Sequence, residues 1–197
     1  MIPRQLQIAA GVLVVAALGL GGYVWRLKRH ASHPQQVEEP AHVAPPVTGP
    51  KENVNLYVGY DNPGIFVPRS AMIALPQGRQ ERAQEVLQAL LARYREEDSS
   101  HPIPPGSEIR NVYLIDPGMA VIDINAALAD GHRSGILVEE LTVISLVETL
   151  AVNVPGVNRV KILVDGKERE TLAGHADLSS TYDTVNVQQL VDRMRAP

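Results

Sequence analysis

The stretch that decides the fold runs from Ser134 to Leu178 and reads SGILVEELTVISLVETLAVNVPGVNRVKILVDGKERETLAGHADL. Its first half predicts a helix whose apolar residues cover well over half of the circumference, which is typical of a helix packed into a core on a broad front. Pro155 and Gly156 end this helix, because proline cannot continue it and glycine tolerates a positive φ. The apolar positions are Ile136, Leu137, Leu141, Val143, Ile144, Leu146, Val147, Leu150 and Ala151.

One polar residue interrupts the apolar face of this helix. On a helical wheel, Glu140 falls near the middle of the apolar arc rather than at its edge. Because Glu140 belongs to the first two turns, a structural role is favoured, in which its carboxylate accepts hydrogen bonds from the free backbone N–H groups of the helix start. A binding role is the alternative, and a catalytic role is disfavoured.

The elements on either side of this helix follow from periodicity. After it, Val160, Ile162 and Val164 alternate with their neighbours as in a strand with one committed face, and Asp165-Gly166 predicts a turn. Before it, the patterns predict two hairpins and an amphipathic helix. A short C-terminal helix is expected after Asn186 as its N-cap. The upstream segments are the strands Val54–Tyr60 and Ile65–Leu75, the helix Ala83–Tyr94 and the strands Ile109–Ile115 and Met119–Ile124.

These elements predict an α+β fold with a mixed twisted β-sheet of about five strands and two main helices packed on one face. We divide the chain into an N-terminal membrane anchor (1–30), a Pro-rich linker (31–53), the folded domain (54–180) and a C-terminal tail with a short amphipathic helix (181–197). The linker carries several prolines without a periodic apolar face, as extended spacers do.

The N-terminal segment Ile8–Trp25 carries no charge and is long enough to cross a hydrocarbon core of roughly 30 Å. We expect an uncleaved single-pass anchor rather than a cleaved signal peptide, because cleavage-site residues are poor and Arg26, Lys28 and Arg29 follow at once. By the positive-inside rule alone, these three basic residues would leave the domain in the cytoplasm.

The composition excludes several classes of function. The 197 residues carry a net charge of -4, which leaves no basic footprint for nucleic acid. The absence of cysteine excludes disulfides, thiol catalysis and cysteine-ligated zinc. The six histidines fall in the linker or in predicted loops, and His132 beside Asp130 is interpreted as a solvated loop. No catalytic residue, metal ligand or cofactor is predicted, and the candidate binding residues are Glu140, Asp123 and His175.

A series of short motifs occurs in a fixed order along roughly residues 54–178. They are Leu56-Tyr57-Val58, Ile103-Pro104-Pro105-Gly106 and Val121-Ile122-Asp123, followed by Glu140-Leu141-Thr142, Val147-Glu148-Thr149-Leu150, Val154-Pro155-Gly156-Val157, Ile162-Leu163-Val164-Asp165-Gly166 and Leu172-Ala173-Gly174-His175. In their order and spacing, these motifs resemble the GerMN domain, a module of bacterial sporulation and spore germination proteins.

The resemblance implies an exported domain, and against the positive-inside rule we expect it on the extracytoplasmic side of the bacterial inner membrane. Because the sequence combines this fold with an anchor and a spacer and carries no catalytic constellation, we expect a non-enzymatic function in protein–protein interaction or assembly, with an envelope protein or a second copy of the chain as partner. The alternative is a module that binds peptidoglycan or a small envelope ligand, and no nucleic acid is expected as a partner.

Overall fold

The computed structural model describes residues 49–195, so the expected anchor Ile8–Trp25 and most of the linker lie outside the described residues. Within residues 49–195, no helix is both long and apolar enough to cross a bilayer. The elements in chain order are β1 (Lys51–Tyr60), β2 (Ile65–Ala74), α1 (Arg79–Tyr94), β3 (Ile109–Ile115), β4 (Met119–Ile124), α2 (Ala126–Asp130), α3 (Ile136–Asn153), β5 (Arg159–Val164), β6 (Tyr182–Asp183) and α4 (Thr184–Arg193).

The fold is α+β, as expected, but its strands form two sheets, so the expected single sheet is wrong. β1 and β2 pair as an antiparallel hairpin, and β3, β4, β5 and β6 form a second sheet in that order. β4 and β5 run parallel, because α2 and α3 connect them as a crossover. The second sheet is therefore mixed, with antiparallel pairs at both edges.

Side chains of α1 donate hydrogen bonds to backbone carbonyls of β3. β3 is an edge strand, and an edge strand presents unpaired backbone groups that another strand could bond. Gln88 on α1 donates from Nε2 to the carbonyl oxygen of Ile109 at 2.8 Å, and Gln84 donates to that of Arg110 at 3.1 Å. The helix therefore supplies hydrogen-bond donors to carbonyl groups of an edge strand.

Helices α1 and α3 pack against each other and both contact β1. The central helix α3 is buried on a broad front, as the sequence predicts, and its Leu141 comes so close to β1 that a Cβ on Gly59 would lie 3.1 Å from the Leu141 Cβ. Tyr94 of α1 joins the same three elements, because its hydroxyl accepts from the Gly59 N–H at 2.8 Å and donates to the Ser145 Oγ at 2.6 Å.

The C-terminal helix begins earlier than the sequence indicates. Asp183, rather than Asn186, caps α4, and its Oδ1 accepts from the backbone N–H groups of Val185 and Asn186 at 3.0 Å. Beyond the helix, the Met194 carbonyl accepts from the Phe66 N–H of β2 at 3.0 Å. The chain just after α4 is thus bonded to β2 of the hairpin, and α4 itself packs against α3.

Truncation of a core residue on α3 should be costly if this helix organises the domain. We expect Leu141→Ala to lower the free energy of unfolding by about 2–5 kcal/mol, because Leu141 is fully buried and its removal leaves a cavity. Val152→Ala, on the same helix but 42% exposed, is the matched control and should change it by less than about 1 kcal/mol. Urea denaturation measures both, and equal effects would contradict the packing described.

Candidate functional site

An open groove of about 450 Å³ lies between α3, α4 and the segment 175–183. Its floor is aliphatic and consists of Val143 and Ile144 of α3 and Val187 and Leu190 of α4. The described lining contains carboxylates but neither lysine nor arginine. The polar and small lining residues are Glu140, His175, Ala176, Asp177, Thr181, Tyr182, Asp183 and Asn186.

The electrostatics of the groove are negative. Hydrogen bonds from Ser179 and Ser180 lower the pKa of Asp177 to about 2, so this carboxylate stays ionised. Burial, together with the negative charges of Asp177 and Glu140, raises the pKa of the Tyr182 hydroxyl to about 12. Because both carboxylates act on the same phenol, the rim carries converging negative charge.

The wall that contains His175 is fixed by Glu139, a fully buried residue of the first turn of α3. Oε2 of Glu139 accepts from the backbone N–H groups of Ala173, His175 and Ala176 at 2.9, 2.9 and 3.0 Å. Oε1 accepts from the Gly135 N–H at 3.1 Å and from the His175 Nδ1 at 2.9 Å. One carboxylate therefore attaches a distant loop to the start of the central helix.

These donors also keep Glu139 charged. Burial by itself would raise its pKa, but the hydrogen bonds from the His175 ring and from the three loop N–H groups outweigh burial and lower the pKa to about 2. A carboxylate that accepts several N–H bonds at a helix start is stabilised by both the bonds and the helix dipole. The charge of Glu139 is therefore part of the fold.

The structure corrects the position predicted for this carboxylate. Glu140, expected in the apolar arc, is exposed on the groove rim, and its neighbour Glu139 is the buried residue that accepts the helix-start N–H. The role assigned to Glu140 is therefore performed by Glu139. The sequence does show carboxylates near the start of the helix. Periodicity, however, does not reveal the loop N–H donors that decide which of the two adjacent glutamates is buried. A binding role for Glu140 stays a prediction.

The other two candidate residues are placed differently. His175 lines the groove with its side chain 41% exposed, and donation from Nδ1 to Glu139 leaves Nε2 for ligand contacts. Asp123 is not among the described lining residues, and its Oδ1 accepts from the Gly166 N–H at 2.7 Å while Oδ2 lies 3.5 Å from the Arg110 Nε. The geometry of Asp123 is that of a turn-stabilising residue, as its strand-end position suggests.

A buried polar network lies in the core beside α3, and sequence reasoning missed it. Nδ1 of His101 is 2.5 Å from Asp61 Oδ1, and its Nε2 is 2.6 Å from Thr142 Oγ1. Nε2 of His132 is 2.7 Å from the same Oγ1, so His132 lies in the interior and the expectation of a solvated loop is wrong. Thr142 has a single hydroxyl proton, so at least one of the two rings donates to it.

The acid–histidine–hydroxyl order of this network matches that of nucleophilic catalysis, but a substrate could not reach its hydroxyl group. His101 and Thr142 are fully buried, and burial lowers the pKa of the His101 imidazole despite the opposing effect of Asp61. Arg133 pairs with the second oxygen of Asp61 and occupies the outer side of the cluster. The arrangement satisfies buried polar groups and connects the β1–β2 turn to α3. Within residues 49–195, no cluster of three or more histidine, aspartate or glutamate side chains is arranged to hold a metal ion.

A second buried glutamate of α3, Glu148, has a raised pKa, whereas the pKa of Glu139 is lowered. Glu148 is 2% exposed, and burial together with the negative charge of Asp192 on α4 raises its pKa to about 7. The charges of Glu148 and Asp192 in turn raise the pKa of the Tyr57 hydroxyl on β1, after burial as the main cause, and Arg195 opposes this shift. The packing of α4 on α3 thus includes a carboxyl that changes its charge near neutral pH.

Together, the fold and this site define a small α+β domain with an open, acid-rimmed groove. The family model Germane, described as sporulation and spore germination, matches residues 55–170, which is more than half of the chain. The chain therefore belongs to this family, and its folded part is a GerMN-type domain. No curated protein matches the chain.

Two solved structures from Bacillus subtilis are similar to the domain. The tandem GerMN domains of the sporulation protein GerM align with a TM-score of 0.53 and 16% identity, covering 69% of this chain and 47% of that one. The first GerMN domain of GerM aligns with a TM-score of 0.48 and 18% identity, covering 66% of this chain and 94% of that one. At these identities, the similarity of the tandem structure establishes the fold alone.

Two adjacent glutamates provide a matched pair of variants. We expect Glu139→Gln to lower the free energy of unfolding by about 3 kcal/mol, because the new amide would place donors against backbone N–H groups in a buried site. Glu140→Gln, which makes the same chemical change on the rim, should change it by less than about 0.5 kcal/mol. Denaturant titration at neutral pH measures both, and a larger effect at Glu140 would contradict the assignment.

The pKa of Glu148 gives a second expectation. Since its folded pKa of about 7 lies above its ordinary value of 4.5, its contribution to stability is fully present below pH 4.5 and is lost as the pH rises through 7. Glu148→Gln should therefore stabilise the domain at about pH 8 by about 1–2 kcal/mol relative to its effect at about pH 5.

The control for this measurement is Glu140→Gln, whose unfolding free energy should follow that of the parent protein across the same pH range. Urea titrations at each pH provide the comparison. A Glu148→Gln variant that runs parallel to the parent protein would show that Glu148 is charged in the folded state throughout.

Proposed function

We propose that the chain is a non-enzymatic, membrane-anchored GerMN-type protein of the bacterial cell envelope that acts in protein–protein interaction or assembly. The observation that carries this proposal is the groove between α3 and α4, in which an apolar floor is surrounded by a polar rim, as at protein-binding surfaces. Its walls are held rigidly, one by the Glu139 bonds and the other by the Asp183 cap of α4. A preformed surface of this kind suits a partner that binds without large rearrangement.

The placement of the reactive groups supports a role without catalysis. A nucleophile or general base must reach its substrate within hydrogen-bond distance. The hydroxyl of Thr142 and the ring of His101 are fully buried, whereas the carboxylate of Glu139 is engaged by five N–H donors. Each of these groups has a structural partner that accounts for its position.

The proposed cellular setting is the outer face of the inner membrane, with Ile8–Trp25 as a single-pass anchor and the Pro-rich linker as a spacer. The uncharged length of Ile8–Trp25 supports the anchor. Membership in a sporulation and spore germination family supports an envelope setting for the domain. The three basic residues after the anchor favour the opposite orientation by the positive-inside rule.

A second candidate function is a binding module for peptidoglycan or a small envelope ligand. A groove of about 450 Å³ falls within the size range of small-molecule sites, and it brings Glu140 and the exposed edge of His175 together. Co-sedimentation of the purified protein with cell-wall sacculi tests this candidate, with Glu140→Gln as the variant expected to weaken the association. Equal co-sedimentation of the parent protein and Glu140→Gln would contradict a role of the groove in wall binding.

In-cell crosslinking of a tagged full-length chain, followed by mass spectrometry, tests the leading proposal. We expect discrete crosslinks to one or two exported envelope proteins or to a second copy of the chain. Crosslinks restricted to cytoplasmic proteins would contradict the proposed orientation. Complete absence of protein crosslinks, in cells where a known envelope complex crosslinks normally, would contradict the interaction function.

A further inference from the structure

We infer that the α3–α4 groove binds a basic segment of a protein partner, one that presents an aliphatic side chain next to a lysine or arginine. This inference rests on the proposed function and adds to it the place of contact and the chemistry of the partner. It follows from the charge and the apolar surface of the groove, each of which selects for one feature of the occupant.

The charge of the groove selects for a cation. Glu140, Asp177 and Asp183 contribute three carboxylates to the described lining, and no lysine or arginine lies among them. Asp177 is held ionised by Ser179, and the Asp183 carboxylate accepts two N–H bonds at the start of α4. An anionic ligand would meet repulsion from all three residues, whereas an ammonium or guanidinium group would meet complementary charge.

The floor selects for aliphatic groups and therefore for a peptide over a sugar polymer. Val143, Ile144 and Val187 are almost fully buried below the groove, and Leu190 is partly buried beside them. A lysine or arginine side chain can lie along such a surface with its methylene stem while its charged end reaches the rim. A neighbouring aliphatic side chain of the same segment would cover the remaining apolar floor.

The groove is open and runs between two helices, so it is not a closed cavity. The lining residues on α4 are Asn186, Val187 and Leu190, which share one face, and those on α3 are Glu140, Val143 and Ile144, which face them. An extended or helical segment can lie between two such faces, as in other helix-lined grooves that bind peptides. The partner is therefore expected to contribute several consecutive residues.

Photocrosslinking in the full-length protein tests this inference. Asn186 is exposed in the groove, and its replacement by p-benzoylphenylalanine leaves its backbone N–H bond to Asp183 intact. The control position is Val152, which is exposed on α3 and is not among the groove-lining residues. We expect crosslinks from position 186, and not from position 152, to a partner peptide that contains lysine or arginine beside an aliphatic residue.

Charge reversal on the rim provides a second measurement. Glu140→Lys should weaken binding of the identified partner segment, made as a synthetic peptide, by about five- to tenfold at low salt. The loss should shrink as salt is added, because the rim charges are exposed and screened. Glu97→Lys, the same change at an exposed position outside the described groove lining, should leave binding unchanged. Unaltered denaturant midpoints for both variants show that the fold is retained.

The outcomes separate this inference from the proposed function. Envelope partners that crosslink to the full chain but not to position 186 would overturn the groove assignment and leave the interaction function standing. Crosslinks from position 186 to an acidic segment, to a second copy of this domain without a basic segment, or to glycan strands would overturn the partner chemistry. Equal binding by the parent protein and Glu140→Lys would do the same.

Discussion

The structure depends on one buried carboxylate at the start of its central helix. Glu139 accepts bonds from Gly135, the N-cap of its own helix, and from Ala173, His175 and Ala176 in a loop more than thirty residues away. The loop has little regular structure to hold it, so these bonds supply the attachment that a sheet would otherwise provide. Because the same loop forms a wall of the groove, the hydrogen bonds of this one residue hold part of the candidate site in place.

The two buried glutamates of α3 show how strongly local donors decide the charge of an interior carboxyl. Burial raises the pKa of both Glu139 and Glu148, since it penalises the charged form. Around Glu139, the ring of His175 and the loop N–H groups outweigh that penalty, whereas around Glu148 the charge of Asp192 adds to it. The helix therefore carries one carboxyl that stabilises the domain by being charged and another whose charge opposes the packing of α4.

The polar network of Asp61, His101 and Thr142 shows why residue order alone is weak evidence for catalysis. Its distances are those of a working acid–histidine–hydroxyl set, yet the hydroxyl and the ring are closed off from any substrate. Glu140 and His175, by contrast, are exposed and line the groove. Accessibility thus separates the part of the molecule that supports the fold from the part that can meet a ligand.

The sequence by itself determined the main helices, the two hairpins, the strand after the central helix and the family, because each of these depends on local periodicity, turn chemistry or motif order. The tertiary structure alone decided the split into two sheets, the burial of His132 and which of two adjacent glutamates lies in the interior. Neighbouring helix positions differ by about 100° in direction. Because the apolar face of the helix is broad, the sequence pattern does not decide which of the two glutamates points into the interior. The N–H groups that bind the buried glutamate lie in a loop far along the chain, and a local sequence pattern gives no information about such distant contacts.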